Sequence, residues 1–213
     1  MSAVSLRPAR RQDCRTIARL FQISSEGVAD YIWSQVDCPG LSLLEIGAHR
    51  YAREGTAFSY QNCLLAVRDG RSVGLLHSFE MPRREEAESD PVLKPYSELA
   101  LPGSLYVSSL AVFPEHRGQG IGGQLLEAAH LKAQVEGFPS VSLICFEGNR
   151  GAARLYERFG YVATARRAIV PHPMIAHEGD AVLMVRQMEQ LSADNDDQAD
   201  VVPFSCCAGR AAA

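Results

Sequence analysis

In the run Arg117–Gly123 (RGQGIGG), four of the six residues after Arg117 are glycine. This run limits the fold more than any other stretch. An apolar segment, Leu105–Phe113 (LYVSSLAVF), precedes it. A helical pattern, Gly120–Glu136, follows, with Ile121, Leu125, Ala128 and Ala129 at i, i+4, i+7 and i+8. Glycines between a strand and a helix let the backbone turn tightly and bring its N–H groups close to a ligand. The helix start leaves its first N–H groups unpaired at the positive end of the dipole. With the charge of Arg117 added, the spacing predicts an anion site suited to a pyrophosphate.

The segment before the loop carries a second signal. Leu105 and Val107 share one strand face, whereas Leu110 and Val112 fall on the other parity. A two-residue period serves both pairs only if one extra residue enters near Ser108-Ser109, which predicts a β-bulge. A bulge spoils pairing and frees backbone groups for a ligand. Downstream, Val141–Phe146 (VSLICF) reads as a buried, parallel strand. Strand, helix and strand then make one βαβ unit with a right-handed crossover.

The flanking pattern is coarser. Ser5–Pro8 reads as a short strand, and Asp13 as the N-cap of a helix that buries Ile17, Leu20 and Phe21. Ser24–Gly27 breaks that helix. Val28, Ile32 and Val36 restart the period up to Pro39-Gly40, and Leu43, Leu44 and Ala48 suggest a third helical piece. Cys63–Arg68 and Ser72–Phe79 around Asp69-Gly70 predict a hairpin. Met81–Pro102, with prolines at 82, 91, 95 and 102, reads as a long connection or flap. Asn149–Arg158 is a short helix closed by Gly160, and Tyr161–Val170 and Ala181–Met188 are the last strands. Residues 1–188 form one domain; from Glu189 the acidic, then Ala-rich, tail is expected to be disordered.

Composition narrows the class. The 213 residues carry a net charge of −4, which argues against a general nucleic-acid binder. Glu189, Asp194, Asp196, Asp197 and Asp200 against Arg210 supply that whole charge, so the domain is close to neutral. None of the six cysteines (14, 38, 63, 145, 206, 207) forms a paired C-x-x-C signature, so no metal site is expected. Met1–Arg11 lacks the apolar region of a signal peptide, and no run approaches eighteen apolar residues. These features predict a cytoplasmic protein with free thiols and no membrane partner.

GQGIGG, Gly118–Gly123, also matches the dinucleotide fingerprint G-x-G-x-x-G, with Glu147 near the place of its ribose-binding acid. Against a nicotinamide oxidoreductase stand the charged PEHR segment before the first glycine and the roughly sixty residues left after Glu147. That reading also gives Asn149–Tyr161 no role.

Ser109–Leu126 (SLAVFPEHRGQGIGGQLL) resembles the cofactor motif of the GCN5-related N-acetyltransferases, R/Q-x-x-G-x-G/A, at Arg117, Gly120 and Gly122. Asn149–Tyr161 (NRGAARLYERFGY) is similar to the same family's N-x-x-A-x-x-L-Y-x-x-x-G-F/Y segment, at Asn149, Ala152, Leu155, Tyr156, Gly160 and Tyr161. The close match covers about Leu105–Val170. The resemblance implies an α/β (α+β) fold: a mixed, mostly antiparallel central sheet, helices on both faces, and a β-bulge in the fourth strand. It implies acetyl-CoA lodged where the fourth and fifth strands splay apart. Its pantetheine amides would pair with Leu110, Ala111 and Val112. Its pyrophosphate would sit on Arg117, Gly118, Gln119, Gly120, Ile121 and Gly122. Asn149 would bond the pantetheine arm, beside Ala152 and Tyr156.

Acetyl transfer to an amine needs a polarised carbonyl, for which a strand N–H near Leu110 is the natural donor. It needs a neutral amine, although a free alkyl amine has a pKa of about 10.4. It also gains from a proton for the leaving thiolate. Through the family motif, Tyr156 is the expected acid. Many relatives carry the base as a carboxylate on the bulged strand, where this chain has Tyr106, Ser108 and Ser109. Glu80, at the end of the preceding strand, is the expected substitute, acting through water. Glu26 and Asp30 could instead attract a cationic amine or be simple turn residues. The acceptor is a small-molecule or peptide amine, shaped by Ser24–Asp30, Met81–Pro102 and Pro171–Asp180. A non-catalytic acyl-CoA-binding domain remains the alternative, and a homodimer through the last strands is possible.

Overall fold

The structure, a computed structural model, describes residues 2–83 and 86–189. The expected tail, apart from Glu189, lies outside these residues, as do Cys206 and Cys207. Among the described residues seven strands form one sheet: β1 (Ser5–Pro8), β2 (Cys63–Arg68), β3 (Arg71–Glu80), β4 (Leu105–Val112), β5 (Ser140–Phe146), β6 (Val162–Ala168) and β7 (Asp180–Gln187). Their order is β1-β2-β3-β4-β5-β7-β6. Only β4 and β5 run parallel; every other neighbour is antiparallel. The mixed, mostly antiparallel sheet is the expected one.

Helices cover both faces. On one side α5 (Ile121–Val135) and α6 (Arg150–Arg158) pack on the sheet. Ile121, Leu125 and Leu126 are buried there with Leu105, Val107 and Leu143. Each such side chain contributes about 1.5–3 kcal/mol. On the other side lie α1 (Cys14–Ser25), α2 (Val28–Ser34) and α3 (Leu43–Tyr51), whose Ile17, Leu20, Trp33 and Tyr51 bury Leu65, Leu75 and Ala111.

Three local expectations are corrected. Asp13 precedes α1 but does not cap it with its side chain. Its carboxylate instead accepts from the Arg10 backbone N–H at 2.8 Å and pairs with Arg7 at 2.8 Å. The α2 helix ends at Ser34, and Val36 lies exposed beyond it. Its buried residues are Ala29, Tyr31 and Trp33, and the indole seats directly on Gly47 of α3, where a Cβ would lie 2.4 Å from the ring. The Met81–Pro102 connection contains a short helix, α4 (Lys94–Glu98). It is followed by fully buried Leu99, packed on Ala181, Leu183 and Val185 of β7. The prolines and charges around Leu99 hide that anchor from a periodicity reading.

The bulge falls where the parity slip put it. His77 of β3 opposes Ser109 of β4, and Ser78 opposes Val107, so Ser108 is the extra residue. Leu105 and Val107 before it, and Leu110 and Val112 after it, all face the α5 layer. Ala111 faces the α1 layer.

Candidate functional site

The β4–β5 pairing stops early. It runs from Leu105 opposite Val141 to Val107 opposite Leu143 and no further. Beyond the bulge β4 stays paired with β3, and β5 with β7, so their facing edges diverge. The gap is a cavity of about 660 Å³. That volume is within the range of small-molecule and cofactor pockets.

The β4 wall presents backbone groups. Phe113 donates its N–H to Val73 on the β3 side at 3.0 Å. Alternation then turns the amides of Leu110 and Val112 toward the gap, and that of Ala111 toward β3. The Val112 carbonyl accepts from Nε of Arg117 at 3.0 Å, which marks the same side. The side chain of Arg117 therefore braces the loop onto the strand end.

At the far end the chain enters α5 through Gly118 (φ +71°) and Gly120 (φ +78°). Gly120 is the N-cap residue, in a left-handed conformation open to glycine but strained for other residues. The first bond back to its carbonyl comes from Gln124 at 3.2 Å. The N–H groups of Ile121, Gly122 and Gly123 thus have no helical acceptor, and their residues line the cavity. Gln119 is held by the guanidinium of Arg68 from β2, a cation missed by the sequence reading because it lies 51 residues upstream. Arg158, at the end of α6, also lines this region. The α5 end of the cleft is thus rich in cations and free amides.

The other wall comes from β5 and α6. Asn149 caps α6: its Oδ1 accepts from the Ala152 N–H at 3.1 Å. Its Nδ2 donates to the Glu26 carboxylate at 3.0 Å. Both ends of the amide are therefore engaged, one by the helix and one by the turn after α1. Tyr156 lies one turn along α6 from Ala152, lines the cavity, and rests its ring 5.8 Å from that of Tyr161. Burial, with Cys145 and Tyr106 nearby, raises the Tyr156 phenol far above its ordinary range, so it stays protonated. Burial likewise pushes the Cys145 thiol up to about 11, with Glu26 as its largest charged neighbour.

The expected residues are unevenly gathered. Leu110, Ala111, Val112, Arg117, Gly118, Gly120, Ile121, Gly122, Asn149, Ala152 and Tyr156 all line the one cavity, and Gln119 sits in the loop between them. Glu80 does not: it is exposed at the end of β3, opposite Leu105, where β4 and β5 are still paired. Its carboxylate is set apart from the gap that opens after Val107 and Leu143. Asp30 does not line the cavity either; it accepts from Gln22 at 2.5 Å. Glu26 does, as the only carboxylate among the described lining residues.

Of the three segments named for the acceptor only Ser24–Asp30 lines the cavity, and the other two pack behind it. Tyr31 donates to Asp90 at 2.8 Å and its ring meets His172 at 4.5 Å. Tyr96 and His177 are 2.9 Å apart at hydroxyl and Nε2, and His177 stacks on Phe146 of β5 at 3.5 Å. Ala176 donates its N–H to the Glu26 carbonyl at 2.8 Å.

A family model described as the acetyltransferase (GNAT) family matches residues 32–161. N-alpha-acetyltransferase 40 of Saccharomyces cerevisiae is 34% identical over 80 residues, which are 34% of this chain and 28% of that protein. The chain therefore spans little more than a quarter of that relative. A putative acetyltransferase from Salmonella typhimurium, solved with its cofactor acetyl-CoA, superposes with a TM-score of 0.60 at 18% identity, covering 92% of this chain and 99% of that one. The ribosomal-protein-S18-alanine N-acetyltransferase from Escherichia coli does so with a TM-score of 0.57 at 14% identity, covering 91% and 99%. These two likenesses are of fold.

Proposed function

The chain belongs to the GNAT family of acetyltransferases, and from that premise we propose that it moves an acetyl group from acetyl-CoA to an amine by direct attack in a ternary complex. The observation that carries the reading is the opened β4–β5 edge running into the α5 N-terminus. A strip of free strand amides leads to a cluster of free helix amides with Arg117 beside it. An acyl-pantetheine arm with a pyrophosphate needs that succession. Gly118 and Gly120 leave open space where a Cβ would stand, so a phosphate can approach the backbone.

In the reaction the amine lone pair attacks the thioester carbon. Negative charge grows on the carbonyl oxygen, which the Leu110 N–H is placed to stabilise. The C–S bond then breaks and its electron pair goes to sulfur. Tyr156 donates a hydrogen bond there and hands over its proton. Burial keeps the phenol protonated until the thiolate forms beside it. The second amine proton restores the phenol. Asn149 serves here as helix cap and clamp rather than as a free partner for the pantetheine arm.

The acceptor is proposed to be a small-molecule or peptide amine entering between the Ser24–Asp30 turn and the Pro171–Asp180 loop. Among the described residues no helix is long and apolar enough to cross a membrane. A homodimer would pair through β6, the exposed outer strand. The test is release of free CoA thiol with a panel of primary amines and free-N-terminal peptides. Acetyl-dependent release with at least one amine supports the reading. Binding of acetyl-CoA with no release across the panel would favour a non-catalytic acyl-CoA-binding domain.

A further inference from the structure

We infer that Glu26 receives the acceptor's ammonium group and takes its proton, from a turn after the first helix rather than from the bulged strand; this rests on the acetyltransferase reading above. Within the cleft Glu26 has no competitor of its kind, since it is the only carboxylate among the described lining residues. The serines of the bulge, Ser108 and Ser109, cannot accept a proton near neutral pH. Ser109 is moreover tied to Ser24 of α1 at 2.7 Å.

The turn is built to hold that carboxylate in place. Glu26 has φ +49°, a left-handed conformation that strains a non-glycine residue. Such strain persists where surrounding contacts impose it. Here the Ala176 N–H holds the Glu26 carbonyl at 2.8 Å, and Gly27 lies against the Met174 backbone. The carboxylate itself accepts from Asn149 Nδ2 at 3.0 Å. Asn149 is fixed in turn by its cap bond to Ala152. One amide therefore aims the base while starting the helix that carries Tyr156. Glu26, Tyr156 and Cys145 of β5 line the same cavity.

The step balances simply. The ammonium N–H bond breaks and its proton passes to a Glu26 oxygen. The neutral amine then forms the N–C bond as described above, and Glu26 releases its proton to water. Glu26 is thus a catalytic residue, and Asn149 a positioning residue acting through it.

Two substitutions test this. Glu26→Gln keeps the oxygen that Asn149 bonds but cannot take a proton. Stabilisation by acetyl-CoA should be unchanged. With an alkyl amine that the wild type accepts, kcat/KM should fall about 100-fold or more. With a weakly basic analogue of that amine, a hydrazide or aryl amine already neutral at pH 7, the loss should shrink to about threefold or less, because no proton need be removed first. Asn149→Asp keeps the cap oxygen and removes the donor to Glu26; it should lose rate with the same dependence on amine basicity. No loss in Glu26→Gln, or equal losses with both amines, overturns the inference while leaving the acetyltransferase reading intact. A wild type that releases CoA thiol with no amine of the panel overturns both.

Discussion

In the proposed mechanism Tyr156 is the residue on which the chemistry turns most directly. It stands on α6, whereas the free amides proposed to hold the pyrophosphate open α5. Tyr156→Phe should therefore lower kcat about 10- to 100-fold while leaving the dissociation constant of acetyl-CoA nearly unchanged. Steady-state thiol release and calorimetric titration read the two quantities. An unchanged kcat would remove Tyr156 from the mechanism. Tyr156 was legible from the sequence only through its motif, since periodicity alone makes it a core aromatic. Glu26 was visible only as one of two turn acids. What singles it out is a hydrogen bond to Asn149 across 123 residues, and no local pattern encodes a contact of that range. Glu80 ends the strand that precedes the bulged one, but the pairing with Leu105 sets it beside the closed end of the β4–β5 edge.

At the scale of elements, the bulge and the glycine loop were the most legible parts. Each is a local conflict: a slipped parity, or too many glycines between a strand and a helix. Only one local geometry resolves each conflict. The extent of β4–β5 pairing was not legible, since it depends on how β3 and β7 draw the two strands apart. Two glycines divide the cleft into separable halves. Gly120→Ala meets no atom within 4 Å but must hold φ +78°. That strain of about 1 kcal/mol or more should weaken acetyl-CoA binding about fivefold. Gly27→Ala is a different case, because its Cβ would lie 1.9 Å from the Met174 carbonyl oxygen. The Pro171–Asp180 loop must then shift. The acceptor KM should rise while acetyl-CoA affinity holds, and separate titrations of the two substrates show whether it does.

Across the whole molecule, three buried histidines link stability to pH. His77 is fully enclosed between the Tyr51 hydroxyl and the Ala57 carbonyl. His130 donates to Tyr161, with Arg186 on its other nitrogen. His177 stacks on Phe146. Burial lowers each to about 4. Below about pH 6.5 the unfolded chain takes up protons that the fold refuses until about pH 4, so stability is lost as pH falls through that window. Between pH 6.5 and pH 5 a single such histidine costs up to about 2 kcal/mol. The unfolding midpoint should therefore drop by several degrees from pH 7 to pH 5, and a flat midpoint would contradict the assignment. The gap between β4 and β5, ending on the Arg117–Gly122 loop, is the proposed seat of acetyl-CoA. Thermal unfolding with saturating acetyl-CoA, set beside equal NAD, tests it most directly. A ligand at about 100 times its dissociation constant stabilises the fold by about 2.7 kcal/mol. The midpoint should rise by several degrees with acetyl-CoA and not with NAD; no rise with acetyl-CoA, or an equal rise with NAD, would contradict acetyl-CoA binding in the gap.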